Sequence, residues 1–434
     1  MTQLPIRTPE ERSIARSTKR SLHGQQDSPK QHRRILIIGD SITHGGEGDY
    51  TWRYRLWQWF SVSFVGPYTG VNPRPSLVAP HPVPLPDDQS PDDPYCPPNR
   101  IPWGYARDVD ASFATGCRHF ATWGYQAHQC MQSIAKVVED WSPDLIISLL
   151  GFNDIGWCVS DAEGTLQAIQ GIVRFARIAK ERVQNFVIGN IVNRTLLDGR
   201  EDLIENTRKF NSLLLDRAHS WDQHNSKVVV ADVAALYDCG PQYRDWAPAA
   251  YDGLHPSALG EFQIAKAFTE TLHQEFGWGS KGLEIPSSSH HGDGGGVPKR
   301  NLQVPEGITA KSTPMGIQVL WKDVFGAAYQ VHWREFSSYS LSSSFSSSSS
   351  SRGKPELVNN NNDWTLSESS HPQIFLPVPQ HCTIEFQLRC HHGFETGPWS
   401  PIYKAKCVDA PIPAPTNIQT FPNSIGFEVR WDAP

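Results

Sequence analysis

Four apolar runs, each closed by a small or polar turn, constrain this chain more than any other feature. They are RILIIGD, DLIISLLGFND, FVIGNIVNR and KVVVADVAAL. Between them lie stretches with apolar residues at helical spacing, such as TLQAIQGIVRFARIAKERVQ and NTRKFNSLLLDRAHSWDQH. Buried strands alternating with helices imply βαβ units and a parallel sheet covered on both faces. In such sheets ligands and catalytic groups gather at the carboxyl ends of the strands. The turns that close the runs are therefore the places to look for chemistry.

The chain of 434 residues is long enough for two or three domains. We divide it into a polar tail (1–34), an α/β domain (35–279), a Gly/Ser-rich linker (280–303), an all-β module (304–408) and a final segment (409–434). The tail is basic, low in apolar residues and reads as disordered. It has no apolar central region, so it is no standard secretory signal. Glu10, Glu11 and Asp27 argue against a mitochondrial address. A net charge of -6 leaves no basic footprint for nucleic acid. No apolar run reaches the roughly 20 residues that a membrane helix needs. Eight cysteines without a CxxC pair give no zinc pattern; they permit disulfides without showing them. Asn193-Arg194-Thr195 would be glycosylated only in the secretory pathway.

In the all-β part, GIQVLWKD and AAYQVHWRE alternate apolar and polar residues, and TIEFQLRCHHG and GPWSPIYKAKCV follow. Trp321 on an early strand, Tyr329 on the next and the late G-P-W-S-P turn resemble a fibronectin type III module. A Ser-rich insert at 337–351 interrupts it and reads as a mobile loop. The segment APTNIQTFPNSIGFEVRWDAP echoes the start of the module, which makes it the opening of a second, incomplete repeat. Two strands cannot close a sandwich, so this end is expected to be either disordered or cut short.

Four turn motifs carry possible chemistry. Gly39-Asp40-Ser41-Ile42-Thr43 ends the first run. A tight strand-to-helix turn would lift the Ser41 hydroxyl to where a base can activate it; the alternative is that Ser41 only caps the next helix. Trp123-Gly124 precedes a helical stretch, and a glycine at a helix start can offer its N–H to an anion. It can equally be a plain turn. Gly151-Phe152-Asn153-Asp154 ends the second run. There the Asn153 amide could donate to an oxyanion, or Asn153 and Asp154 could simply form the turn. In Asp252-Gly253-Leu254-His255-Pro256, a spacing of three lets carboxylate and imidazole meet, so that Asp252 can fix the tautomer of His255. Alternatively Asp252 caps the turn and His255 lies on the surface.

Taken in order (Ser, Gly, Asn, Asp-x-x-His), the four resemble the blocks of the SGNH, or GDSL-like, hydrolase family over residues 35–275. GDSIT and DGLHPS match closely, GFND fits the family's GxND, and Gly124 is assigned to the loosest block. The G-x-S-x-G elbow of α/β-hydrolases is absent, since Thr43 closes the first motif. The resemblance implies a three-layer, flavodoxin-like α/β domain with a parallel sheet, followed by an all-β fibronectin type III-like sandwich. It implies that Ser41 is the nucleophile, His255 the general base and Asp252 its orienting partner. The oxyanion donors would be the N–H groups of Ser41 and Gly124 and the side chain of Asn153, with Asp40 and Asp154 supporting the turns. No metal and no organic cofactor are called for.

The segment DYTWRYRLWQWFSVSFVGPYTG also resembles the acetylxylan esterase-like branch, which implies acetyl esters on carbohydrate. Trp52, Trp57, Trp59 and Trp103 could stack on sugar rings, or be core, since Trp52, Leu56 and Trp59 share a helical face. The patternless insert at 73–104 could line the site or be a tolerated surface insertion. A lipase or thioesterase acting on longer acyl chains is the rival within enzymes. The rival outside them is a binding or adhesion protein that contacts polymers or proteins through the fibronectin-like part. That part suits secretion, while the polar N-terminus suits the cytoplasm.

Overall fold

In the computed structural model, the apolar runs become the strands of a parallel sheet. The structure describes residues 33–60, 62–72, 104–180, 185–244, 246–286, 297, 300–336, 364–408, 416–423 and 426–432. The tail, most of the linker, Trp103, most of the patternless insert and the Ser-rich insert lie outside these residues. The described residues from Arg34 onward belong to one compact unit.

In chain order, the strands of the α/β domain are β1 (Arg34–Gly39), β2 (Ser63–Val65), β3 (Tyr68–Thr69), β4 (Arg118–Ala121), β5 (Leu145–Leu149), β6 (Asn185–Gly189) and β7 (Lys227–Ala231). They pair in the order β3-β4-β1-β5-β6-β7, with β2 sharing an edge of β1 with β4. All these pairings are parallel except β3 with β4. Successive residues of β1 enter different cores, as the two-residue period of a strand requires. Ile35 and Ile37 meet Trp52, Leu56 and Phe268 on one face. Leu36 and Ile38 meet Ile134, Ile169 and Phe210 on the other. Helix Ala258–Phe276 covers the first face, and helices Ala127–Trp141, Ala162–Ala179 and Glu201–Arg217 cover the second. The parallel sheet is the one expected from the alternation, and the three layers are those the family resemblance implies.

The register places the candidate turns together. Gly39 stands opposite both Ala121 and Leu149. The carboxyl ends of β4, β1 and β5 are therefore level, and Gly124, Ser41 and Asn153 all follow from that one edge.

The tryptophan-rich segment forms helix Trp52–Trp59. Trp52 is wholly buried and stacks on Phe268 at 4.8 Å, so it is core. Trp57 packs on Tyr54 and Phe113. Trp59 is half-buried and donates from Nε1 to the Lys281 carbonyl at 2.6 Å.

The C-terminal region comprises β8 (Thr309–Thr313), β9 (Gly316–Leu320), β10 (Ala328–Glu335), β11 (Thr365–Ser369), β12 (Gln373–Leu376), β13 (Thr383–His392), β14 (Glu395–Thr396) and β15 (Tyr403–Lys406). One antiparallel sheet runs β12-β9-β8; the other runs β11-β10-β13-β14, with β15 also on β13. Ile317 and Val319 from the first pack with Tyr329, Val331, Phe386 and Leu388 from the second, closing a β-sandwich. Trp321 lies just past the end of β9 rather than within it, and meets Tyr329 edge-on at 5.0 Å. The last segment is a two-stranded sheet of β16 (Thr416–Asn423) and β17 (Gly426–Asp432).

Candidate active site

Asp40, not Ser41, caps the short helix Ser41–His44: its Oδ1 accepts from Ile42 N at 3.0 Å. Ser41 is thereby released from the capping role that its sequence position also allowed. Its hydroxyl stands 2.9 Å from His255 Nε2, and His255 Nδ1 stands 2.7 Å from Asp252 Oδ2. A carboxylate can only accept, so Nδ1 carries the proton and Nε2 is left to accept from the Ser41 hydroxyl. The other carboxylate oxygen, Oδ1, accepts from the backbone N–H of Leu254 and of His255. Burial alone would raise the Asp252 carboxyl. The hydrogen bond and charge of His255, with the two N–H donors, outweigh it and hold the group below its usual value.

The turn between these partners depends on Gly253. Its φ is +84°, and a Cβ there would stand 2.3 Å from Thr195 Oγ1. Thr195 N in turn donates to the Gly253 carbonyl at 3.0 Å, which ties the turn to the loop after β6.

Asn153 and Asp154 lie in helix Phe152–Gly156, in the first turn after β5. The Asn153 amide donates to the Tyr125 carbonyl at 3.0 Å, binding it to the loop that holds Gly124. Asp154 is buried and accepts from Ala127 N, His128 N and His128 Nδ1. It therefore caps the start of the earlier helix Ala127–Trp141 rather than forming a simple turn. Gly124 is not at that helix's start: it has φ +77° in the turn between β4 and the cap residue Gln126.

Two aromatic side chains to which the motifs gave no role flank the imidazole. The Trp123 indole stacks on His255 at 4.6 Å, with 22° between the planes, and its Nε1 donates to the Gly45 carbonyl. Tyr251 stacks on the same imidazole at 5.7 Å and 18°. Ser41, Trp123, Tyr251 and His255 line a small pocket together with Asp49 and Glu261.

Residues 35–268 match the family model described as GDSL-like Lipase/Acylhydrolase. The chain belongs to the GDSL-like lipase/acylhydrolase family. It is thus a carboxylic ester hydrolase. The hydrolase is similar to several solved structures. A mutant acetyl esterase with acetate ion is 19% identical, with 56% of this chain and 97% of that one covered and a TM-score of 0.40. A family 3 carbohydrate esterase from Talaromyces cellulolyticus has the same identity and coverages at a TM-score of 0.38. The FN5 domain of Drosophila Lar is 14% identical and covers 25% of this chain and 99% of its own, at a TM-score of 0.18. No curated relative matches the chain. Among the described residues, no helix of the hydrolase is long and apolar enough to cross a membrane.

Burial dominates the electrostatics beneath Ser41. It raises the Asp40 carboxyl to about 7, against smaller opposing effects from the Ile42 N–H and the charge of His255. The unfolded chain ionises Asp40 near 4, while the folded hydrolase keeps the proton until about 7. The stability that this proton preference contributes is complete below pH 4 and is lost as pH rises through 7. Asp40→Asn keeps a capping oxygen without the titration. In denaturant unfolding at a series of pH values, wild type is expected to lose stability relative to Asp40→Asn between pH 4 and 7, with no further change above. A constant difference across that window would show that Asp40 titrates normally.

Proposed function

We propose that the protein is a serine esterase that works through an acyl-enzyme and removes short acyl groups, acetyl foremost, from carbohydrate. The observation that carries this reading is the hydrogen-bonded series from Ser41 Oγ through His255 to Asp252. His255 Nε2 takes the Ser41 proton as Oγ attacks the ester carbonyl. The oxyanion accepts from the Ser41 N–H, the Gly124 N–H and Asn153 Nδ2. His255 then gives its proton to the leaving alcohol oxygen. Water, deprotonated by the same imidazole, attacks the acyl-serine and releases the acid. Catalysis in this reading belongs to residues 35–279, ahead of the β module that begins near 304.

Two observations support the short acyl group and the sugar. The pocket beside Ser41 is walled in part by the carboxyl groups of Asp49 and Glu261, polar walls that suit a short acyl group better than a long apolar chain. Trp157 and Trp246 are 46% and 55% exposed; Trp157 follows helix Phe152–Gly156 after β5, and Trp246 lies beyond helix Val233–Leu236 after β7. Exposed indoles in segments that follow strand carboxyl ends suit sugar rings.

The test is hydrolysis of p-nitrophenyl esters from acetate to long chains, followed by acetylated xylo-oligosaccharides. Activity concentrated on acetate, with acetate released from the oligosaccharide, is the expected result. Rates that climb with chain length would replace the carbohydrate reading with a lipase or thioesterase, and inertness on every ester would leave a binding protein. Asn153→Ala is expected to lower kcat by about 100-fold or more, the usual loss of one oxyanion donor. An unchanged kcat would remove Asn153 from the site.

A further inference from the structure

The walls of the cavity are held from outside the α/β domain. Arg300, just ahead of the β-sandwich, donates from Nη1 to the carbonyls of Glu47 and Gly326, both at 2.9 Å. Glu47 belongs to the loop after the Ser41 helix, and Gly326 to the sandwich. Arg300 Nη2 pairs with Asp49 Oδ1, and both side chains are only 10% exposed. Asp49 is a wall of the cavity, and its Oδ2 accepts from Gly46 N, another wall. Buried, multiply bonded pairs of this kind lock geometry, because loss of one partner strands a charge.

A second contact lies at the turn joining β13 to β14. Phe394 N donates to the Tyr251 carbonyl at 2.7 Å. The His392 ring lies 3.9 Å from the Tyr251 ring, with Nε2 3.9 Å from Asp49 Oδ1. Gly393, at φ +57°, fits so closely that a Cβ would stand 1.8 Å from the Tyr251 carbonyl oxygen. Tyr251 is the neighbour of Asp252, stacks on the His255 imidazole, and donates from its backbone N to the His255 carbonyl at 2.9 Å.

We propose that the C-terminal β region is a working part of the esterase site: Arg300 and the His392–Phe394 turn hold Asp49 and Tyr251, and through them position the loop that carries His255. Arg300, Gly393 and Tyr251 are positioning residues; none exchanges a proton with substrate. The inference rests on the assignment of Ser41 and His255 given above.

The experiment compares full-length wild type with Arg300→Ala, Gly393→Asn and Lys311→Ala on p-nitrophenyl acetate. Asparagine tolerates the left-handed backbone of position 393, so Gly393→Asn pushes the turn and the Tyr251 carbonyl apart without straining the turn's own dihedral. Arg300→Ala tests the same dependence from a different residue, so a folding failure of one variant leaves the other to decide. Lys311 is exposed on β8 and serves as the control. Turnover is normalised to the sites titrated by a fluorophosphonate that phosphonylates the reactive serine. A residue that only maintains the fold would change the number of titratable sites, not the rate per site.

We expect kcat per titrated site to fall by about ten- to 100-fold in Arg300→Ala and Gly393→Asn, the scale of a small misplacement of a catalytic group, and to hold in Lys311→Ala. Rates per site within two-fold of wild type in both variants would overturn the proposal. If wild type itself hydrolyses no ester, the assignment of Ser41 and His255 fails first, and the two failures are told apart.

Discussion

Ser41→Ala is expected to lower kcat by a factor on the order of 10⁶ while leaving the fold in place. Loss of the nucleophile in a serine–histidine–aspartate site costs about that much, because the remaining groups act only through it. The substitution removes one hydroxyl, whose partner in the structure is His255 Nε2. Ser41 is not the helix cap, since Asp40 fills that role, so helix Ser41–His44 keeps its N-terminal bond. The check is p-nitrophenyl acetate turnover alongside the unfolding midpoint. A variant with an unchanged midpoint and a rate near background supports the assignment. One that retains wild-type turnover would remove Ser41 from the chemistry.

Asp252→Asn is expected to cost about 10⁴-fold in kcat with little change in structure. The amide oxygen can still accept from Leu254 N and His255 N, as Oδ1 does now. The other amide atom is an N–H₂, and it would face His255 Nδ1, 2.7 Å away in the native carboxylate arrangement. Two donors cannot share that bond, so Nδ1 must give up its proton and Nε2 must take it. Nε2 could then no longer accept from Ser41. A fall of less than ten-fold would mean that Asp252 does not set the tautomer.

Ser41, Asp252 and His255 stood out in the sequence as candidates because of their local motifs and the family resemblance of the motifs taken in order, and the fold brings the three within hydrogen-bond reach. Each sits in a short motif whose spacing already implies a turn, and the alternation of strands and helices places such turns at one edge of a sheet. Gly124 and Asn153 were legible as positions following β4 and β5, although Asp154 proves to cap a distant helix rather than its own turn. Trp123 and Tyr251 were not legible as site residues. Each adjoins a motif residue, but its stacking on His255 depends on loops that the fold brings together from far apart. The tryptophans of helix Trp52–Trp59 show the reverse. Their number hinted at sugar binding, yet helical spacing turned Trp52 onto Phe268. Exposed indoles occur instead at Trp157 and Trp246, which lie in no periodic pattern. Nothing local marks the role of Gly393, because the carbonyl it makes room for belongs to Tyr251, far back along the chain.

The hydrogen bond between Ser41 and His255 spans 214 positions, and this gives activity a place in the timing of synthesis. A growing chain exposes its serine early, but the base that activates it is made only after the last strand of the parallel sheet. Contacts of such separation form late, because loop closure must be offset before they contribute. A ribosome-bound nascent chain should therefore stay inert until its emerged length passes residue 255. Turnover by chains stalled at increasing lengths would then act as a clock for completion of the sheet.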